Sequence, residues 1–172
     1  MYPILLTIFF IFLLTAVYAG VRGAPWVPTK SKDLERFLKL AEFKPGDKFY
    51  DLGCGDGRLV VAAAKAGAIA TGFEISLFPY LLAMLRVLFA SRDVRKNIKI
   101  KFRDFWKEDL SDASVIYFFL MPKIFAKLEK KLLAELKPGA KVIVYVWPFQ
   151  NWTAKKIDVY PKRPKIYLYE IS

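Results

Sequence analysis

The chain has 172 residues, is 55% hydrophobic, and carries 28 Lys and Arg against 16 Asp and Glu, a formal net charge of +12. That length suits one domain with a short appendage, and the absence of histidine excludes a Ser/His or Cys/His relay, a histidine general base and any His-ligated metal. Cys54 stands alone, which excludes an intramolecular disulfide or a cysteine zinc cluster and fits a reducing compartment; the basic excess admits nucleic acid, anionic lipid, an acidic protein surface or simple solvation.

No charged side chain precedes Arg22. A helix of twenty-one residues (1–21) rises about 30 Å, the hydrocarbon thickness of a bilayer, so the segment reads as a transmembrane anchor. A secretory signal is a rival, with Val17 and Ala19 as a small-residue cleavage site, but the charged leading region is missing and the apolar run is long for a signal. A buried core helix would need a larger protein to wrap it. Arg22, Lys30, Lys32 and Arg36 follow the span and none precedes it, which places the remainder on the cytoplasmic or matrix-like side of a single-pass membrane protein. Residues 22–30 form a connector stiffened by Pro25 and Pro28, and 31–172 the globular domain.

Ser31 caps an expected helix in SKDLERFLKLAEF, with Leu34, Phe37, Leu38 and Ala41 at helical spacing. KPGD is a turn, KFYDL a strand, RLVVAAAKAG a helix, and AIATGFEI a second strand. SLFPYLLAMLRVLFASR reads as a helix capped by Ser76, with Pro79 tolerated in its first turn. IKIKF alternates like a half-buried strand, and ASVIYFFL is a continuous apolar run typical of a central parallel strand. PKIFAKLEKKLLAEL is an amphipathic helix, AKVIVYVW a buried strand, and KKIDVY and KIYLYEI a closing hairpin around PKRP. This order gives an α/β fold with a doubly wound, mostly parallel sheet, which binds ligands at the carboxyl ends of its strands near the switch point.

The first such strand ends in YDLGCGDG. Gly53, Gly55 and Gly57 permit positive φ and close approach of a ligand, and N–H groups open the following helix. The spacing is neither a dinucleotide G-x-G-x-x-G nor a P-loop. Asp51 and Asp56 would repel a pyrophosphate but suit an ammonium or sulfonium group, both present in S-adenosylmethionine, whose carboxylate would meet the N–H groups. Glu74 closes the second strand, where a carboxylate accepts two ribose hydroxyls. Asp104 follows the third strand, in reach of an adenine amino group. Cys54 has no base partner and reads as a small filler in the cofactor loop. The plainer alternative for Asp51 and Glu74, helix capping or surface solvation, does not explain their joint placement.

From the glycine turn to the last hairpin the chain resembles class I, seven-stranded, Rossmann-like S-adenosylmethionine-dependent methyltransferases. The stretches VPTKSKDLERFLKLAEFKPGDKFYDLGCGDGRLVVAAAKAGAIATGFEIS and FRDFWKEDLSDASVIYFFLMPKIFAKLEKKLLAELKPGAKVIVYVWPFQNW resemble, more closely, the membrane-anchored protein-lysine methyltransferases of adenine nucleotide translocase and of the ATP synthase c-ring protein. The resemblance implies a lysine of a membrane protein as acceptor, and WPFQNW, with Trp147 and Phe149, as a wall of the acceptor slot. A lysine must lose its proton first, and only about one in two thousand is neutral at pH 7, so a dry aromatic slot would help. Asp104, Glu108 and Asp109 are the candidate bases, and Asp109 is preferred because Asp104 serves adenine. The aromatics read equally well as core. FFLMPK lacks the polar residue before Pro-Pro-aromatic used by nucleic-acid methyltransferases of this fold, which disfavours nucleic acid. Two alternatives stay open: methylation of a lipid or small hydrophobic molecule, and a non-catalytic basic domain binding membrane or RNA.

Overall fold

The computed structural model describes residues 2–172. Its strands are β1 (Lys48–Leu52), β2 (Ile69–Glu74), β3 (Ile98–Phe102), β4 (Val115–Phe118), β5 (Lys141–Tyr145), β6 (Lys156–Asp158) and β7 (Ile166–Glu170). They form one sheet in the order β3-β2-β1-β4-β5-β7-β6. β1 to β5 are parallel, and β7 runs antiparallel between β5 and β6. The helices are α1 (Tyr2–Arg22), α2 (Ser31–Ala41), α3 (Arg58–Lys65), α4 (Leu77–Leu88), α5 (Arg92–Arg95) and α6 (Phe125–Glu135).

The two-residue period of β4 divides the core. Val115 and Tyr117 pack with Phe37, Val60 and Ala63 of α2 and α3, whereas Ile116 and Phe118 pack with Leu128 and Leu132 of α6. All four β4 residues are buried, as a strand covered on both faces requires. The order reverses between β1 and β4, which opens a crevice beyond their carboxyl ends.

Three local expectations change. The long helix after β2 stops at Leu88 and resumes at Arg92, because Ser91 adopts an extended conformation with ψ 153°. Pro122–Ile124 is a 3₁₀ turn, and α6 starts only at Phe125. Neither Ser31 nor Ser76 makes a side-chain capping bond: Ser31 is the first helical residue, and the N–H groups of Ile75 and Ser76 donate to the Glu74 carboxylate.

A buried polar cluster fastens α2 to the far half of the sheet. Asp33, fully buried, accepts from the Tyr145 hydroxyl at 2.7 Å, Arg36 at 2.9 Å and Arg163 at 3.4 Å. Arg36 also pairs with Asp158 and donates to the Pro164 carbonyl. Burial alone would raise the Asp33 pKa, but the bonds from Tyr145, Arg36 and Arg163 outweigh it and hold the carboxyl below the ordinary carboxylate range. Its contribution to stability is therefore present above the unfolded carboxylate pKa and lost as pH falls through the lower folded value. Asp33→Ala removes the acceptor of the Tyr145 hydroxyl and one of the two carboxylates paired with Arg36, and a loss of about 1–3 kcal/mol is expected, read as a drop in the denaturation midpoint.

Candidate active site

A cleft lies along the carboxyl ends of β1, β2, β3 and β4, lined by Gly53–Asp56, Glu74–Ser76, Arg103 and Phe105, and Phe119 and Leu120. Ala19, Arg22 and residues 23–29 line it from the leading segment. Its open space, counted out into the solvent at the mouth, is about 750 Å³.

The floor is the turn after β1. Gly53, Gly55 and Gly57 take φ of 87°, 55° and 72°. Gly55 is doubly constrained, because an added Cβ would stand 2.5 Å from Trp26 Nε1. The turn folds back on β2: the N–H groups of Gly53 and Cys54 both donate to the Phe73 carbonyl at 2.9 Å, and that of Gly55 donates to Glu74 Oε2 at 2.8 Å. The N–H groups expected to face an anionic ligand are thus largely satisfied within the turn. Cys54 fills the space over Gly72, where a Cβ would lie 2.6 Å from Sγ. Burial pushes its thiol pKa well up, with Asp51 and Glu74 adding to the effect, so it is no nucleophile.

Asp51 ends β1 inside the cleft wall and is 1% exposed, yet its Oδ2 has no hydrogen-bond partner. Burial drives its pKa well above the ordinary value, and the charges of Glu74 and Asp56 push the same way. Asp56 is not free: Arg58 lies at 2.6 Å and Arg86 at 2.7 Å. These ion pairs outweigh the effect of burial and hold its carboxyl below the ordinary range. The negative groups open to the cleft are therefore Asp51 and Glu74, each 6% exposed or less. A buried carboxylate oxygen lacking a donor, beside a second carboxylate, fits a cationic amine and a ribose diol. These residues fit S-adenosylmethionine.

The roof comes from the segment before α2. The Arg22 guanidinium pairs with Asp104, and the Arg22 carbonyl accepts from Trp106 Nε1 at 3.3 Å. The Gly23 carbonyl accepts from the Met121 N–H at 3.3 Å. Thr29 meets the buried Tyr117 hydroxyl at 3.1 Å, and its carbonyl accepts from Arg58 at 2.7 Å.

The cleft gathers Asp51, Gly53, Cys54, Gly55 and Glu74 of the expected cofactor residues. Gly57 lies just behind, where a Cβ would be 3.0 Å from that of Ala83. Asp104 is not among the lining residues; its carboxylate accepts from the Trp106 N–H at 3.1 Å and pairs with Arg22, which does line the cleft. Asp109 is outside the cleft, its carboxylate accepting from the Ser111 N–H and hydroxyl at 2.9 and 3.0 Å. Trp147 stands behind the wall, stacked on Phe119 at 5.7 Å and 29°. Phe149, 3% exposed, sits in the core among Phe118, Phe125, Trp152 and Tyr169. Sequence reasoning missed Phe119, Leu120 and the roof. The two side chains lay hidden in an apolar run read only as a strand, and the roof in a connector where VPT was expected to add binding energy but no site residue was named.

Asp51→Asn should stabilise the ligand-free protein by about 1–3 kcal/mol at neutral pH while weakening cofactor binding. A raised folded-state pKa makes the charge a penalty that is absent where the group is neutral in both states and grows as pH rises past the ordinary carboxylate value. The stabilisation should therefore shrink toward pH 4, as denaturation midpoints of the two proteins across pH would show.

Residues 51–156 match the family described as the ANTKMT methyltransferase domain. The Rattus norvegicus enzyme that N-methylates a lysine of the ATP synthase c-ring protein is 38% identical over 129 residues, 75% of this chain and 58% of that protein. A protein-lysine N-methyltransferase of Saccharolobus islandicus is 34% identical over 157 residues, 88% of this chain and 96% of the relative. The chain thus spans little more than half the length of the rat relative and nearly all of the Saccharolobus one. Among solved structures, an RNA methyltransferase of Salinibacter ruber in complex with S-adenosyl-L-homocysteine superposes with TM-score 0.78 at 30% identity, covering 84% of this chain and 94% of that one. The chain belongs to the ANTKMT methyltransferase domain family, and the cofactor its cleft fits is S-adenosylmethionine.

Proposed function

We propose that the chain is a protein-lysine N-methyltransferase anchored in a membrane by α1, acting on a lysine of a membrane protein at the bilayer surface. The observation that carries this reading is the position of the cleft: Ala19 and Arg22, at the end of an apolar helix with mean hydropathy 2.6, are among its walls. An acceptor in the same bilayer shares the plane in which the cleft is held, which raises its effective concentration. The names of the relatives in rat and Saccharolobus support lysine as the acceptor.

The cofactor supplies an electrophilic methyl group on a sulfonium centre. The chain's own residues have three tasks. Asp51 and Glu74 bind and orient the donor through their negative charge. Tyr117, Phe119 and Leu120 present a largely apolar wall beside it, and Trp147 holds the Phe119 ring from behind. The third task is acceptor deprotonation. Among the described residues the carboxylates lining the cleft are Asp51, Asp56 and Glu74, the first and last assigned to the donor and Asp56 neutralised by two arginines. Desolvation against the aromatic wall therefore carries this step, since burial favours the neutral amine. Alignment of two bound reactants supplies the rest.

Two measurements test this. Glu74→Ala removes a ligand carboxylate and the acceptor of the Gly55, Ile75 and Ser76 N–H groups together. Its affinity for S-adenosylhomocysteine by calorimetry should fall by about tenfold or more; unchanged affinity removes the ribose role. Transfer of a tritiated methyl group to native membranes should label protein and yield methyl-lysine on hydrolysis. Label recovered in solvent-extracted lipid or in RNA overturns the acceptor assignment.

A further inference from the structure

α1 does not stand clear of the domain. Tyr2–Ile11 are all exposed, whereas Phe12, Thr15, Ala19 and Arg22, one face of the helix, turn toward the domain with reduced exposure. The contacts are specific. The Leu77 N–H donates to Thr15 Oγ1 at 3.2 Å, and the Phe12 and Phe78 rings meet edge-on at 6.1 Å. Phe78 also meets Trp26 at 5.8 Å. Arg22, the first charge after the apolar run, marks the edge of the hydrocarbon, so Phe12, ten residues or about 15 Å before it, lies near the middle of the bilayer when α1 spans it. An α1 that crosses the whole bilayer must therefore carry the start of α4 into it.

α4 is built for that position. Phe78, Leu81, Met84, Leu85 and Leu88 are 44–61% exposed, and Phe89 beyond its end is 81% exposed. Its single charge, Arg86, folds back onto Asp56, donating to the carboxylate at 2.7 Å and to the backbone carbonyl at 2.9 Å. The exposed face thus carries no unpaired charge. Exposed Arg92, Arg95 and Lys96 follow directly, where anionic headgroups would be met.

Resting on the membrane reading of α1, we propose that α4 is a second membrane element, its exposed face covered by acyl chains of the leaflet nearest the domain. The apolar surface of α4 continues that of α1, and the span leaves no room for water between the two at the depth of Phe12. Lipid is the occupant that both facts require. Arg22, at the interfacial end of the apolar run, is among the walls of the cleft, so the cleft opens toward headgroup level and the acceptor lysine is one that protrudes at the interface.

Full-length protein in vesicles of phosphatidylcholine and phosphatidylglycerol tests this. An environment-sensitive fluorophore is placed on Leu81→Cys, Leu85→Cys, Leu13→Cys or Leu133→Cys, with buried Cys54 changed to Ala. The α4 reporters should be blue-shifted and quenched by acyl-brominated lipid to within about twofold of the Leu13 reporter, with the Leu133 reporter quenched only by aqueous iodide. Iodide quenching at Leu81 and Leu85 with lipid quenching at Leu13 overturns the proposal while α1 remains in the bilayer. Iodide quenching at all positions overturns the anchor itself. Shielding of the α4 reporters from both quenchers means a protein covers the face, and also overturns it.

Discussion

An ionisable group, Asp51, is held in the cleft wall with one buried oxygen lacking a donor, and the rest of the site is arranged around it. It stands at the end of a central strand with Glu74 and Asp56 near by. Everything around it keeps that arrangement from relaxing. Asp56 is held by Arg58 and Arg86, the turn is pinned to the Phe73 carbonyl, and Gly72 leaves room for Cys54 beneath. Binding a cation relieves the penalty, so part of what destabilises the free protein becomes affinity for the donor.

The leading segment belongs to the same unit. Its last turns and the connector after them are fastened to the loops following β3 and β4 by Arg22, Gly23 and Thr29. Trp26 lies so close over Gly55 that no side chain fits there. What reads in sequence as an anchor, a spacer and a domain is in space a floor and its roof.

The fold was legible because its signals are local and repeated: apolar runs bounded by turn residues, alternating with helical periods, leave few topologies. Asp51, Glu74 and the glycines were legible for a related reason, since strand ends at a switch point are where such sheets bind ligands. The acceptor side was not. Phe119 and Leu120 carry no mark that separates them from Ile116 and Phe118; they line the cleft because β4 ends at Phe118 and they lie just past its carboxyl end, a boundary that an unbroken apolar run does not show. Trp147 and Phe149 lie in the loop after β5, where no period fixes direction: one stacks on Phe119 and the other fills the core. Asp104 was expected to reach an adenine amino group; it accepts from Arg22, 82 residues away, and no spacing rule connects the two.

Because Ala19, Arg22 and residues 23–29 complete the chamber, a protease clipping the chain between α1 and α2 would not liberate a working soluble fragment. The remainder would keep its sheet but lose its lid. On the proposed membrane reading of α1, detachment from the bilayer and loss of the chamber would be a single event.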